Sequence, residues 1–347
     1  MLSLRYMLSR GPTEIILGDG ALPGIGKLED SLVVYPHSLR QLVESGLRGN
    51  YESLEINDGE ESKSFETVLK ILGRLMEGRF KRTSTLVSVG GGTVSDVAGL
   101  AASLYLRGIP YTSVPTTLLS MVDASLGGKD GVNFGNVKNV LGTFYGASRI
   151  VVDTSLLRTM PHNLVNDGIG EIAKYAAIMD DELYSFLMEN TMGGVLNDQK
   201  KMEYLLSKCI NDKMELVSQD EFDQDGKRII LNFGHTFGHA MEAASGFSIG
   251  HGHAVIGGML LEVDFALEMG LTTKEVQKGL QELIGHLGFS VHGKDYLPGG
   301  RAELSEFVNS DKKSTRHTMK LPIPQSIGIP KVCEVETSSI SDYLERK

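Results

Sequence analysis

The feature that most constrains this chain is a β-rich run that ends in three consecutive glycines and opens at once into an apolar helical stretch. Thr85-Leu-Val-Ser-Val89 leads into Gly90-Gly91-Gly92 and then Thr93-Val-Ser-Asp96, with helical periodicity through Leu106. Such a junction is an anion cradle: the first N–H groups of a helix have no partner within it, and no Cβ keeps a pyrophosphate away from them. The spacing is not that of GxGxxG, and the same turn also serves close helix–strand packing. Upstream, Ser31 to Tyr35 reads as a buried strand, His37 to Glu44 as a helix and Ser64 to Glu77 as an amphipathic helix. This alternation predicts parallel βαβ units.

From about Pro161 the pattern changes. Helical periodicity runs over Gly170 to Glu189, Lys200 to Val217, His235 to Ala244, His253 to Met269 and Thr273 to Leu287, and strand signals nearly vanish. A chain of 347 residues is long for one core, which favours two domains that share or flank a cleft. The expectation is an α/β, Rossmann-like nucleotide-binding domain over 1–160 and a mostly α-helical domain over 161–347, with the boundary near residues 157 to 162. The 41 glycines against 10 prolines fit many tight turns rather than disordered linkers.

Cys209 and Cys333 are too few and too far apart for a thiolate zinc cluster or a disulfide scaffold, so a metal must use His, Asp or Glu. Neither a signal-peptide core nor a run of ~20 apolar residues is present, so a cytoplasmic protein without a membrane partner is expected. A net charge of −10 argues against nucleic acid as a partner and requires a local basic pocket for any anionic ligand.

Two constellations carry chemistry. Asn232-Phe-Gly-His235-Thr-Phe-Gly-His239 and Gly250-His251-Gly-His253 concentrate four imidazoles; His235 and His239 stand one helical turn apart, where both can face one metal. The intervening glutamate of a metalloprotease is absent. Glu171 is a carboxylate candidate for such a site, although its i, i+3 relation to Lys174 reads by spacing as an ordinary helix surface pair. The second constellation is Asp123-Ala-Ser-Leu-Gly127-Gly128-Lys129, followed by Lys138-Asn139: glycines expose backbone donors and lysine supplies charge for a phosphate. A solvated surface loop has the same composition.

These segments recur in an order that resembles the dehydroquinate synthase family from about residue 57 to residue 330. The matching runs are Asp58-Gly-Glu60-Glu-Ser-Lys63, Gly90 through Asp96, Arg107-Gly, Val114-Pro-Thr116-Thr117, Asp123 through Lys129, Lys138-Asn139, Glu171-Ile-Ala-Lys174-Tyr, Lys213, Arg228, Asn232 through His239, His251-Gly, and Asp311-Lys-Lys313. The resemblance implies a divalent metal, usually zinc with cobalt as an alternative, on Glu171, His235 and His251, which moves His239 to the substrate phosphate and to proton transfer. It implies NAD at Glu60, Lys63, Gly91, Gly92, Asp96, Thr116, Thr117 and Thr159, with Lys129 and Lys138 also close to the cofactor. Asp123, Lys129, Lys138, Asn139, Lys174, Lys213, Arg228 and Asn232 match the substrate pocket, and Lys312 is the choice for a further carboxylate contact.

The family substrate is 3-deoxy-D-arabino-heptulosonate 7-phosphate, converted to 3-dehydroquinate and phosphate in the shikimate pathway. Transient NAD oxidation, phosphate elimination, re-reduction and aldol closure make up the implied sequence. The family is commonly a homodimer in which Arg107 reaches the neighbouring phosphate site. Two departures stand out: His253 where the family usually has Glu, and Asp130 where a small hydroxyl residue is usual. The rivals are another sugar-phosphate cyclase, disfavoured by the carboxylate-binding Lys213, Arg228 and Asn232, and a metal-dependent polyol dehydrogenase, disfavoured by the phosphate-binding lysines.

Overall fold

In a computed structural model of the chain, the structure describes residues 1–135, 137–297, 304 and 318–345. They fall into two compact units, Met1–Pro161 with Gln199–Phe222, and His162–Asp198 with Asp223–Lys347.

The first unit is built on seven strands: β1 (Leu2–Leu8), β2 (Gly11–Gly18), β3 (Lys27–Pro36), β4 (Arg48–Ile56), β5 (Thr85–Gly90), β6 (Tyr111–Pro115) and β9 (Arg149–Asp153). Their order is β1-β2-β9-β6-β5-β3-β4, all parallel except the β1–β2 hairpin at one edge. Leu32, Val33 and Val34 are fully buried, the unbroken apolar run that a parallel strand covered on both faces needs. Helices α1 (Arg40–Gly46), α2 (Phe65–Glu77) and α3 (Gly92–Leu104) follow β3, β4 and β5. Ser64 caps α2 by accepting from Thr67 N at 3.3 Å, and α2 buries Val68, Ile71 and Leu75 at helical spacing.

A hairpin of β7 (Lys129–Phe134) and β8 (Val137–Phe144) packs on α3, so the segment that reads as a glycine-rich loop runs directly into a strand. The edge hairpin and the short β6 and β9 also add to what the pattern predicts. The predicted α/β class holds for this unit and the helical class for the second.

The second unit contains α4 (His162–Ile178), α5 (Asp181–Glu189) and α6 (Met192–Leu196). After α7 (Gln199–Gln219) it continues with α8 (His235–Ala244), α9 (His251–Glu268), α10 (Lys274–His286), the antiparallel pair β10 (Thr318–Ser326) and β11 (Ile329–Glu336), and α11 (Thr337–Glu345). The α9 helix packs against α4, α8 and α10 and is buried on nearly all sides. Among the described residues no helix is long and apolar enough to cross a membrane.

Three differences from the sequence reading have physical causes. The stretch expected as one helix over Gly170 to Glu189 breaks because Asp180 caps α5, accepting from Leu183 N at 2.8 Å. The β10 strand escapes a propensity reading because Pro322 and Pro324 interrupt it. The α7 helix, expected within 161–347, belongs to the first unit, where Lys213 pairs with Asp123 and Asn211 accepts from the Tyr6 hydroxyl.

Asp130 is buried against α3, in a notch that exists because residue 99 is glycine: a Cβ there would stand 2.2 Å from the Asp130 Cγ. Its Oδ2 has no hydrogen-bond partner among the described residues. Burial, reinforced by the charge of Asp96, raises its pKa well above the usual carboxylate range, with Lys63 and Arg10 opposing. The folded state thus holds this proton more tightly than the unfolded chain, and stability is lost as pH rises above ~4, the unfolded value. Asp130→Asn is expected to melt a few degrees higher than the parent at pH 8 and to lose that advantage towards pH 4. Thermal melts at the two pH values check this; an equal difference at both would contradict it.

Candidate active site

At the mouth of the first unit's sheet, Thr116 N donates to Gly90 O at 3.0 Å, and α3 starts behind Gly91 with no side-chain cap. A Cβ on Gly91 would lie 3.3 Å from Thr117 Cγ2, and one on Gly92 would lie 3.1 Å from Ala124 Cβ, so the glycines also admit the segment that follows β6. Thr117 is itself held, its N donating to Ser120 Oγ at 3.1 Å. Glu60 accepts from Thr93 Oγ1 at 2.9 Å and from Asn133 Nδ2 at 3.0 Å, tying the loop after β4 to α3 and β7. Lys63 and Asp96 form a largely buried ion pair at 2.5 Å. Burial pushes the Asp96 carboxyl up to about 6 although Lys63 pulls it down. Thr159, exposed, closes the short 3₁₀ turn after β9.

Asp123 lies in a π-helical turn over Ser120–Ala124, and the buried Lys213 of α7 donates to its carbonyl at 2.6 Å and its Oδ1 at 2.7 Å. Lys129 opens β7, while Lys138 and Asn139 stand on β8, all three exposed. Asn139 N donates to Asn133 Oδ1 at 3.0 Å. Asp96, Lys129 and Asn139 line one cavity of about 350 Å³, which brings residues from the cradle and the lysine hairpin to a common space. Arg107 is exposed beyond α3, where Leu106, Arg107 and Gly108 take φ values of 49°, 63° and 115° in succession.

The second unit holds the metal-type cluster. Glu171 of α4, fully buried, places Oε1 at 3.3 Å from His235 Nε2 and 3.2 Å from His251 Nε2. One ligand atom from each of the three lies within 4.8 Å of the others. Lys174 Nζ contacts the second oxygen of Glu171, and both residues are buried, which corrects the reading of this pair as a surface one. His251 Nδ1 is 3.4 Å from Glu242 Oε1, and His235 Nδ1 is 3.2 Å from Phe233 O, so the far side of each ring has an orienting oxygen. Burial alone would lower the His251 pKa, but the hydrogen bonds with Glu171 and Glu242 override it and raise it to about 10. Glu171 is held well below the carboxylate range, burial being outweighed by Lys174 and His235. One carboxylate and two imidazoles, with a coordination position left over, is a donor set that suits a catalytic Zn²⁺ or Co²⁺.

His239, nominated by helical spacing, is outside this cluster: it is exposed, and its ring stands perpendicular to that of His235 at 5.2 Å between centroids. Helical spacing brings two rings together but does not aim their nitrogens at one point. His253 is also outside, packed on Phe289 and Tyr296 at 5.2 and 6.3 Å. Arg228 is buried at the head of the 3₁₀ turn that ends at the exposed Asn232. Lys312 lies outside the described residues.

Sequence reasoning missed Asp167, Glu242 and Glu262. Glu262 is fully buried in α9 and accepts from Gly234 N at 2.7 Å and Thr236 N at 3.1 Å. Burial pushes its carboxyl up to about 8 against these donors. Its signal was present: a single acid in the apolar run Met259-Leu-Leu-Glu262-Val.

Residues 53–167 match the family model described as 3-dehydroquinate synthase N-terminal, and residues 168–314 match that of the C-terminal part. The 3-dehydroquinate synthase of Sulfolobus acidocaldarius is 37% identical over 343 residues, 97% of each chain. The chain also superposes on solved structures. One is a 2-deoxy-scyllo-inosose synthase complexed with carbaglucose-6-phosphate, NAD⁺ and Co²⁺ (TM-score 0.87, 23% identity, 99% of both chains). Another is the 2-epi-5-epi-valiolone synthase of Streptomyces hygroscopicus with NAD⁺ and Zn²⁺ (TM-score 0.80, 26% identity, 100% of both chains).

The cluster geometry predicts opposite behaviour for two histidines. After zinc loading and dialysis, His251→Ala should retain less than about a tenth of the parent's metal, whereas His239→Ala should stay loaded. Atomic emission on both purified variants decides it. A metal-free His239→Ala beside a loaded His251→Ala would reverse the assignment.

Proposed function

The chain belongs to the 3-dehydroquinate synthase family, and on that premise we propose that it converts 3-deoxy-D-arabino-heptulosonate 7-phosphate to 3-dehydroquinate and phosphate, as an NAD- and divalent-metal-dependent carbon–oxygen lyase of the cytoplasm. The observation that supports it most is the buried Glu171–His235–His251 cluster with Lys174 at its back. Glu171, His235 and His251 would hold the metal, which would supply Lewis acidity toward substrate hydroxyls, and the residues around the Gly90–Gly92 cradle would hold NAD, which would supply a reversible hydride acceptor.

The protein's own residues bind and orient. Lys129, Lys138, Asn139 and His239 hold the phosphoryl group, and His239 passes a proton near it. Lys213, Arg228 and Asn232 take the carboxylate and nearby hydroxyls; the cationic residue types at 213 and 228 suit an acid substrate better than the uncharged position of an inosose or valiolone precursor. Asp123, fixed by Lys213, accepts from substrate hydroxyls. Lys174 keeps Glu171 ionised by its contact with the second carboxylate oxygen. Because the leaving phosphate can act as its own base, much of the rate comes from holding the ring still.

A homodimer completes the reading. Leu104 and Leu106, which flank Arg107 closely in the chain, are exposed, and so are Phe134, Val137 and Val140 on the β7–β8 hairpin, apolar surface of the kind that a second copy covers. In this reading Arg107 reaches across to the second copy's phosphate site.

Two measurements test these assignments. NAD at about a hundredth of the enzyme-saturating substrate concentration should support many equivalents of phosphate release with no NADH accumulating, since the hydride returns within each turnover; stoichiometric NADH without phosphate would identify a polyol dehydrogenase instead. Arg107→Ala and Lys129→Ala proteins, each nearly inactive alone, should regain activity when mixed, because one site of each heterodimer is intact. No recovery despite demonstrated subunit exchange would rule out a shared site.

A further inference from the structure

Two of the three metal ligands are the first residues of their helices, and neither helix caps itself. The α8 helix begins at His235 behind Gly234, and α9 begins at His251 behind Gly250, with no side-chain cap at either end. The usual cap, a Ser, Thr, Asp or Asn, is absent from both positions, and at Gly234 it is barred by space. Gly234 has φ 80°, and a Cβ on it would lie 2.5 Å from Met259 Cγ and 2.8 Å from Val255 O. A Cβ on Gly250 would meet Asp167 Oδ1 at 2.9 Å.

The missing acceptors come from neighbouring helices. Glu262 of α9 uses both oxygens on the first turn of α8, at Gly234 N and Thr236 N. Asp167 of α4 accepts from Gly252 N, in the first turn of α9, at 3.0 Å. From this geometry we infer that Asp167 and Glu262 are positioning residues of the metal centre, each fixing the helical turn that carries a metal ligand. A first turn has no i→i−4 bonds to its own N–H groups, so its place depends on such outside acceptors, and metal–ligand distances tolerate only about 0.2 Å. Burying a polar carboxyl group at position 262, among the buried Leu260, Leu261 and Val263, is unfavourable without hydrogen-bond partners. The arrangement links the three ligands in series: α4 carries Glu171 and caps α9, and α9 carries His251 and caps α8.

The inference rests on the metal centre proposed above, and the test separates the two. Metal-free full-length protein is titrated with cobalt(II), reading affinity and the visible d–d absorption, with a thermal melt of each variant. Glu262→Gln keeps the volume but turns an amide N–H toward a backbone N–H. It should weaken cobalt binding about tenfold and shift the d–d band. Asp167→Ala should do the same, and Asp167→Asn, which retains the one oxygen in use, should restore most of the affinity. Val263→Ala, a cavity one residue away, should lower the melting temperature and leave the cobalt spectrum as it was. Cobalt affinity and spectrum unchanged in Glu262→Gln, or changed equally in Val263→Ala, would overturn the positioning role while leaving the centre standing. A parent protein that binds no cobalt would remove the centre itself, and this inference with it.

Discussion

A carboxylate with no exposed surface must be surrounded by positive charge or donors, because desolvating it alone costs more than a fold can supply. Glu171 is in that position, and much of the second unit is arranged around it: Lys174 one turn along its own helix, His235 and His251 from two others. The same demand explains why three helices converge there. Each supplies one donor, so the carboxylate is matched from three separate helices.

Convergence of this kind needs backbones that approach more closely than side chains permit. A Cβ on Gly170 would lie 2.6 Å from the Gly252 Cα, and one on Gly258 would lie 1.9 Å from the Gly234 carbonyl. The α4–α9 and α8–α9 crossings are therefore backbone against backbone beside the ligands. Contacts of that sort have few rotamers to relax through, so the site is stiff where it must hold geometry. The nucleotide-type cradle uses glycine differently: Gly91 and Gly92 clear space both for the helix start and for the Thr117–Ala124 segment.

How far the sequence carried this picture depended on the range of the interaction. The cradle was legible because strand, turn and helix are contiguous, and so were the helices with one apolar stripe, such as α2. His235 was legible as a ligand candidate, but spacing within one helix pointed to His239, since a partner contributed by a different helix leaves no periodic trace. Family resemblance, which encodes such long-range pairings, gave Glu171 and His251. Neither route gave the caps Asp167 and Glu262, whose roles depend on which helix lies alongside, or Asp130, whose side chain fills the notch at Gly99. The β10–β11 pair was hidden by prolines that a strand paired on one side accommodates.

The chain passes from one compact unit to the other at 161/162, at 198/199 and at 222/223, so neither unit is a contiguous segment. On a ribosome the first unit therefore emerges incomplete. Its sheet is finished once β9 has appeared, yet Asp123 waits for Lys213, which arrives only after the α4–α6 segment has left the exit tunnel. Until then a nascent chain exposes the surface that α7 will cover, and a protease cut within residues 162–198 would break the covalent path between α7 and the sheet it packs on.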